Sequence, residues 1–133
     1  MKIESCAKDI KASDEKIFRM LSDCRSIQKM LPPQVKNWKA DEDRCEFEIE
    51  GIAKANVNIA EKMEFSYIAY QVDNDKNMPL SFTFNIEKHG DLCDLTMKID
   101  MNVPVFLQPM VRTPLQKVTD TALERIKSNV EQE

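Results

Sequence analysis

The sequence predicts an α+β fold in which a curved antiparallel sheet of seven strands wraps around one long C-terminal helix. The order of the elements is the first observation: one strand, two short helices, six further strands and a terminal helix, or β-α-α-β6-α. The second is the alternation of apolar and polar residues in the later strands, which gives each strand one dry face. The third is the amphipathic pattern of the last segment. The chain has 133 residues, a length that suits one core, so we expect a single domain over residues 1–133.

The composition argues against several classes of protein. Hydrophobic residues make up 42% and charged residues 32% of the chain, as in ordinary globular proteins. The net charge of -4 leaves no basic surplus to neutralise phosphates, so nucleic acid is not an expected partner. No apolar run approaches the roughly 20 residues of a membrane span, so we expect no stable insertion into a membrane. The N-terminal residues lack the apolar middle of a signal peptide, and we therefore expect a cytoplasmic protein.

Residues typical of metal, nucleotide or acid–base chemistry are scarce. Cys6, Cys24, Cys45 and Cys93 lie far apart in the sequence, which favours four free thiols over a disulfide framework or a zinc site. The single histidine, His89, precedes a glycine in a predicted hairpin turn, where a solvated side chain is expected. Only two glycines are present, too few for a phosphate-cradling loop. We therefore predict no catalytic residue, no metal and no cofactor.

The N-terminal elements are a strand and two short helices. Residues 2–12 are predicted to form the strand. Ser13 is a suitable N-cap, and Asp14 and Glu15 suit the positive end of the helix dipole. The apolar residues of this first helix share one face: Ile17, Phe18 and Leu21. A second short helix follows and ends at the Pro32-Pro33 pair, because proline cannot continue a helix.

The first of the six later strands is predicted over residues 35–40. Glutamates alternate with apolar residues over 45–50, which indicates one buried and one solvated face, and Gly51 ends that run. The glutamates could be interpreted as a carboxylate cluster, but the alternation places them on the outer face. The predicted inward residues of the clearly alternating strands are Phe47, Ile49, Ala53, Ala55, Val57, Ile59, Leu80, Phe82, Phe84, Ile86, Cys93, Leu95, Met97, Ile99 and Met101.

One strand, over residues 63–72, is apolar on both faces. We predict that Met63, Phe65, Tyr67 and Ala69 form its inward row, although the alternate residues are apolar as well. The pattern of the C-terminal segment is clearer, since its apolar residues recur at helical spacing. They are Val111, Leu115, Val118, Ala122, Ile126 and Val130. A helix of about 21 residues spans ~30 Å, close to the length of a ten-residue strand, so it can cover the dry face of the sheet.

The space between the sheet and this helix is the candidate site. A strongly curved sheet with one helix over it leaves volume that small inward side chains do not fill. A cavity for a ligand and a filled core both remain open from the sequence. Tyr67 is the predicted polar handle, its ring in the wall and its hydroxyl free for a ligand. The predicted lining is Phe47, Phe65, Tyr67, Phe82, Phe84, Met97, Met101, Val111, Leu115 and Val118.

Two segments resemble a known superfamily. The first is the entry to the first helix, Ile10-x-Ala12-Ser13-x-x-x-Ile17-Phe18-x-x-Leu21-x-Asp23. The second is the entry to the terminal helix, Phe106-Leu107-x-Pro109-x-x-x-x-Pro114-Leu115-x-x-Val118. Together with the element order over the whole chain, they resemble the helix-grip superfamily: START lipid-transfer domains, polyketide cyclases and dehydratases, and birch-pollen-allergen-like proteins (SRPBCC). The resemblance implies the β-α-α-β6-α topology and a hydrophobic cavity, and it carries over no catalytic residue.

Three functions are compatible with these features. The leading hypothesis is the binding, transport or sensing of a small hydrophobic molecule, such as a lipid, a sterol-like or a polyketide-like compound. The second is a cavity enzyme of the polyketide cyclase or dehydratase type, with Tyr67 or Tyr70 as its acid; the scarcity of histidine and interior acids argues against it. The third is an interaction module with a packed core, as in co-chaperone relatives, which predicts an exposed apolar surface patch instead.

Overall fold

The computed structural model describes residues 1–30, 35–49, 53–75 and 79–132, and all structural statements below concern these residues. The predicted breaks at Pro32-Pro33 and at Gly51 lie outside them. The strands are β1 (Lys2–Ile10), β2 (Val35–Ala40), β3 (Arg44–Ile49), β4 (Ala53–Met63), β5 (Tyr67–Asn74), β6 (Leu80–His89) and β7 (Leu92–Met101). The α-helices are α1 (Asp14–Leu21) and α2 (Gln108–Glu131), and two 3₁₀ helices span Cys24–Met30 and Val105–Leu107.

The strands form one seven-stranded sheet in the order β1-β7-β6-β5-β4-β3-β2, and each of its neighbours is antiparallel. The predicted fold is confirmed: six strands follow one another as a meander, and the N-terminal strand closes the far edge beside β7. Strand β1 ends at Ile10 rather than at residue 12 because the chain turns there toward the α1 cap. The Ser13 side chain accepts a hydrogen bond from the Lys16 N–H at 3.1 Å, as an N-cap does.

Helix α2 runs alongside β1 and in the same direction. The Gln116 amide donates to the Glu4 carbonyl at 3.3 Å, and near the other end of the helix the Lys11 N–H donates to the Glu131 carboxylate at 2.9 Å. Between these two positions the strand and the helix each advance by about 23 Å. Between them Lys127 also donates to the Lys8 carbonyl. These side chains therefore cover backbone groups on the free edge of β1, where another strand could otherwise pair.

The core lies between the inner face of the sheet and the α1, α2 and first 3₁₀ helices. The stripe predicted on α2 is confirmed in its C-terminal part, where Ala122, Ile126 and Val130 are buried. It is wrong at Val118, which is 38% exposed, whereas the following residue, Thr119, is fully buried. None of the helices within the described ranges is long and apolar enough to span a membrane.

The inward row predicted for β5 is wrong. A bulge between Ile59 and Glu61 shifts the register of β4, so that Ile59 pairs with Tyr70 but Glu61 pairs with Ala69. Because directly opposed residues share a face of the sheet, the inward residues of β5 are Ile68, Tyr70 and Val72. The row containing Met63, Tyr67 and Ala69 lies on the outer face.

Candidate functional site

The two ends of the sheet differ in how completely the inner face is covered. At one end, called the closed end here, α1 and the first 3₁₀ helix lie against the sheet. At the other, called the open end, β5 leads to β6 and β7 leads to α2. Residues of the closed end are almost completely shielded from solvent. Those with exposures below 2% include Ile10, Ile17, Leu21, Ile68, Tyr70, Phe84, Leu95 and Ile126.

Several inward side chains of the open end are only partly buried, although Val72 and Ile99, which pair with Leu80 and Phe82, are each 4% exposed. Leu80 and Phe82 on β6, Met101 on β7, and Val111 and Leu115 on α2 are all of intermediate exposure. Leu80, Phe82 and Leu115 pack against the buried core from this side. The first turns of α2 therefore leave part of the apolar inner face accessible, whereas its later turns bury theirs.

Three large apolar side chains project into solvent beside this opening. Val105, Phe106 and Met110 are 81%, 78% and 72% exposed, and we call them the apolar rim. They lie on the second 3₁₀ helix and on the first turn of α2. Exposure of three neighbouring apolar residues is unfavourable in water, and patches of this kind are common at interaction surfaces.

The structure brings together eight of the ten predicted lining residues, some fully and some partly. Phe47, Phe84 and Met97 are buried on the inner face of the sheet. Phe82 and Met101 lie on the same face nearer the opening, and the three predicted α2 residues lie at its border: Val111, Leu115 and the more exposed Val118.

Phe65 and Tyr67 lie elsewhere. Phe65 sits in the turn between β4 and β5 with a positive φ of 63°, and its ring packs edge-to-face on Phe18 of α1 with centroids 5.7 Å apart. Tyr67 pairs with Asn85 on the outer face, so its hydroxyl is not the polar handle of the interior. The Ile59–Glu61 bulge separates both residues from the rest of the predicted set, and an apolar pattern on both faces gave no signal of it.

Two interior residues were missed by the sequence pattern. Trp38, the single tryptophan, stacks on Phe47 with ring centroids 5.8 Å apart. A register irregularity in β2 between Lys36 and Lys39 conceals its facing, because it interrupts the alternation. Thr119 was missed because a polar residue falls outside an apolar stripe; its hydroxyl donates to the Leu115 carbonyl of its own helix at 2.8 Å.

Tyr70 carries a fully buried hydroxyl group in the interior. Its ring stacks on Phe82 at 4.5 Å, and its hydroxyl donates to the Leu21 carbonyl at the end of α1. Burial raises the pKa of Tyr70 well above its ordinary value, since ionisation would place a charge in the core. The hydroxyl therefore stays protonated near neutral pH and closes a helix end, which disfavours it as an acid–base catalyst.

The one histidine is paired at the closed end. His89 Nε2 lies 2.9 Å from the Asp94 carboxylate and 3.6 Å from that of Asp9, and all three groups are near the surface. The hydrogen bond to Asp94 raises the pKa of His89, and the same bond lowers the pKa of Asp94. The geometry accounts for these residues as an ion pair that ties β7 to the end of β1 across the β6–β7 turn.

The outer-face glutamates of β3 face lysines across the sheet. Glu46 pairs with Lys39, and Glu48 lies between Lys36 and Lys54. Opposite charges on neighbouring strands stabilise the pairing modestly. These carboxylates thus have a structural explanation on a solvated face.

Cavities of 630, 520 and 390 Å³ open on outer surfaces of the molecule. The largest lies between α1 and the end of α2, with a mostly polar wall that includes Ser13, Arg19 and Gln132. The other two are shallow depressions on the outer face of the sheet, beside Tyr67 and beside Thr83. None of these three lies between the sheet and α2, where the fold would enclose a hydrophobic ligand, so the inner face at the open end remains the candidate site.

Several solved structures superpose on this chain over nearly its whole length. A conserved protein from Geobacillus kaustophilus superposes with a TM-score of 0.79 at 14% identity, covering 99% of this chain and 96% of that one. A START superfamily protein from Mycobacterium smegmatis gives 0.77 at 17% identity, covering 98% and 97%. A protein from Chromobacterium violaceum gives 0.73 at 17% identity, covering 98% and 96%.

The chain therefore has the helix-grip fold, the fold of that START superfamily protein, and the predicted resemblance is confirmed at the level of the fold. The likeness extends over nearly the full length of each chain. A scan of protein-family models finds no match, and neither does a search of curated protein sequences.

Proposed function

We propose that the protein binds a small hydrophobic molecule against the inner face of the sheet at the open end, beneath the first turns of α2. The observation that carries the proposal is the contrast between the two ends of the interior. The closed end is packed around Tyr70 and Phe84, whereas Phe82, Met101 and Leu115 keep apolar surface that a ligand would bury. The fold supports the proposal, since helix-grip relatives generally accommodate such ligands in this region.

The apolar rim fits the same function. Phe106 and Met110 stand where a hydrophobic molecule would enter, and contact with its protruding part would shield them from water. A carrier or sensor requires binding and no chemistry. The enzymatic alternative of the cyclase or dehydratase type is less well supported, because Tyr67 lies outside the interior and the Tyr70 hydroxyl is engaged with Leu21.

The proposal is tested by titrating the protein with oleic acid, cholesterol and a naphthalene-based fluorophore. Trp38 reports on the site, since it stacks on the wall residue Phe47. We expect at least one probe to bind with a negative heat-capacity change, the mark of buried apolar surface. Leu115→Gln and Met101→Gln place an amide in the wall and should weaken that binding about tenfold, which corresponds to about 1.4 kcal/mol.

Matched controls lie two or three residues away on the same elements. Lys117→Gln on α2 and Lys98→Gln on β7 change exposed residues and should bind as the wild type does. If no probe binds, or if the wall variants bind as tightly as their controls, the ligand-binding proposal is wrong.

A second candidate function, a protein-interaction module, is favoured by the apolar rim alone. In that case the rim contacts a protein and the inner face is simply core. Phe106→Ser would then have no effect on the probe titrations. Leu115→Gln and Met101→Gln would lower the stability of the protein without changing its affinity for any ligand. The same titrations therefore distinguish the two functions.

A further inference from the structure

The exposed apolar side chains of this protein are concentrated at its open end. Among the described residues, five large apolar side chains are exposed, and four of them lie within residues 105–118. Three form the apolar rim, and the fourth, Val118, follows about two turns after Met110 on α2. The fifth, Met63, lies at the closed end, where β4 finishes. Single exposed apolar residues are ordinary, whereas a group of them is common at interaction surfaces.

The same segment is basic, although the protein as a whole is acidic. Residues 101–119 contain Arg112 and Lys117, both exposed, and no acidic residue, whereas the chain has 23 acidic and 19 basic side chains. Asp100 and Asp120 flank the segment. The first lies opposite a lysine of β1, and the second accepts hydrogen bonds from side chains of β1 and α2. An anionic surface is therefore attracted to this segment more than to the rest of the molecule.

The basic groups lie behind the apolar rim along the axis of α2. At a rise of 1.5 Å per residue, Arg112 lies about 3 Å and Lys117 about 10 Å along the helix from Met110. Long basic side chains can lay their stems on apolar surface while the charge reaches a polar layer. Apolar side chains at the tip with cations behind them match the layers of a membrane surface, in which anionic headgroups cover the acyl region.

The size of the rim favours a bilayer over a second protein chain. Its three side chains are between 72% and 81% exposed, so they protrude, and together they offer on the order of 400 Å² of surface. Two such rims facing each other would bury about 800 Å², below the roughly 1,200 Å² at which stable protein interfaces begin. A bilayer needs no matching shape, because its boundary region accepts protruding apolar side chains in any arrangement.

We propose that the open end docks on membranes that carry anionic lipids, with the apolar rim at the boundary of the acyl region and with Arg112 and Lys117 among the headgroups. The contact is peripheral and reversible, because three side chains and two charges supply far less attraction than a spanning helix does. Docking also brings the inner face of the sheet within reach of hydrophobic molecules dissolved in the bilayer. Only this last consequence rests on the proposed function.

The test sediments the full-length protein with sucrose-loaded vesicles, made either of phosphatidylcholine alone or with phosphatidylglycerol as a third of the lipid. We expect the partition coefficient to be about fivefold higher on the anionic vesicles, and high salt should remove the difference. Phe106→Ser and Met110→Ser should each lower partitioning about threefold, because each removes a side chain that enters the bilayer. Met63→Ser, the same kind of change at the closed end, is the matched control and should bind as the wild type does.

The contribution of charge is tested by Arg112→Glu, which should weaken binding to anionic vesicles about fivefold and leave binding to neutral vesicles unchanged. Arg44→Glu makes the same change at an exposed residue of β3 near the closed end and should have no effect. A second measurement does not depend on sedimentation. The fluorescence of Phe106→Trp should shift to shorter wavelength when anionic vesicles are added, and that of Met63→Trp should not.

Two alternative occupants of the rim give different results. If the wild type stays in the supernatant with both kinds of vesicle, or if Phe106→Ser and Met63→Ser bind alike, the rim is not a membrane contact and the inference is overturned. It is also overturned if analytical ultracentrifugation shows a dimer that Phe106→Ser dissociates, because a second copy then covers the rim. The probe titrations contain no vesicles, so failure of docking and failure of ligand binding are told apart.

Discussion

One buried residue, Tyr70, shows how α1 is held against the sheet at the closed end. Tyr70 spans the core from β5 to the end of α1, where the helix leaves carbonyl groups without intrahelical donors. Its ring supplies apolar contact with Phe82 and Phe84, and its hydroxyl supplies the hydrogen bond that Leu21 lacks. One side chain therefore couples helix and sheet.

Tyr70→Phe should accordingly lower the free energy of unfolding by about 1–3 kcal/mol, because the Leu21 carbonyl stays buried and loses its donor. Denaturant unfolding followed by Trp38 fluorescence measures the change. Tyr67→Phe, on the outer face, is the control and should alter stability by no more than about 0.5 kcal/mol. Equal effects of the two variants would contradict the assigned role of Tyr70.

The His89–Asp94 pair predicts a defined pH dependence. The folded-state pKa of His89 is raised, so its contribution to stability is fully present below about 6.5, the ordinary histidine value, and is lost as the pH rises through the raised pKa. Asp94 has a lowered pKa, so its contribution is present above the ordinary aspartate value and is lost as the pH falls through the lowered one.

Asp94→Asn should bring the pKa of His89 back toward its ordinary value, as followed by NMR titration of the imidazole. Asp91→Asn, in the neighbouring turn, is the matched control. A histidine titration that is the same in the wild type and in Asp94→Asn would exclude the pair.

Residue patterns predicted much of the interior but not its exceptions. The alternation in β6 and β7 identified Phe82, Phe84 and Met97 correctly, since those strands have one dry face and an undisturbed register. Tyr67 was misplaced because a bulge inverts a strand's facing without leaving a trace in a pattern that is apolar on both sides.

At the scale of elements, the first and the later turns of α2 differ in how firmly they are held. Its later turns are bound to β1 through Gln116, Lys127 and Glu131. Its first turns contain Pro114, which has no N–H to donate to the Met110 carbonyl four residues earlier. The sequence pattern predicted an apolar stripe along this helix, but not that its start would carry exposed apolar residues.

We expect backbone amides of residues 110–115 to exchange with deuterium much faster than those of residues 119–130. Pro114→Ala restores a hydrogen bond and should slow exchange in the first segment, with a gain in stability of about 1–2 kcal/mol after the loss of proline's rigidity in the unfolded chain. Mass spectrometry of the exchanged protein makes the measurement. Uniform protection along α2 would contradict the division.

The whole molecule depends on contacts between its distant ends. Strand β1 lies between α2 and β7, so it supports both the cover of the core and one edge of the sheet. The order of elements predicted the seven-stranded antiparallel sheet around the C-terminal helix, but not that β1 would pair with β7 and lie beside α2. The order of elements does not predict how completely side chains fill the space between the sheet and α2, because that depends on side-chain contacts between distant residues.

Removal of residues 1–10 should therefore abolish cooperative unfolding and expose the inner face. We expect strong binding of 1-anilinonaphthalene-8-sulfonate and loss of near-ultraviolet circular dichroism with the strand content largely kept. A synthetic peptide of residues 1–12 added in trans should reverse both effects. A truncated protein that unfolds cooperatively at the wild-type midpoint would show that β1 is dispensable.

The position of β1 also determines when this strand can pair as the chain leaves the ribosome. β1 ends at Ile10, but its sheet partner begins only at Leu92 and its helical partner at Gln108. The first strand must wait, unpaired, while the meander from β2 to β6 is synthesised and forms with its apolar face uncovered. Nascent chains in that state expose the surface that drives aggregation. The elements that cover this apolar face, β7 and α2, are thus synthesised after the strands whose apolar side chains they shield.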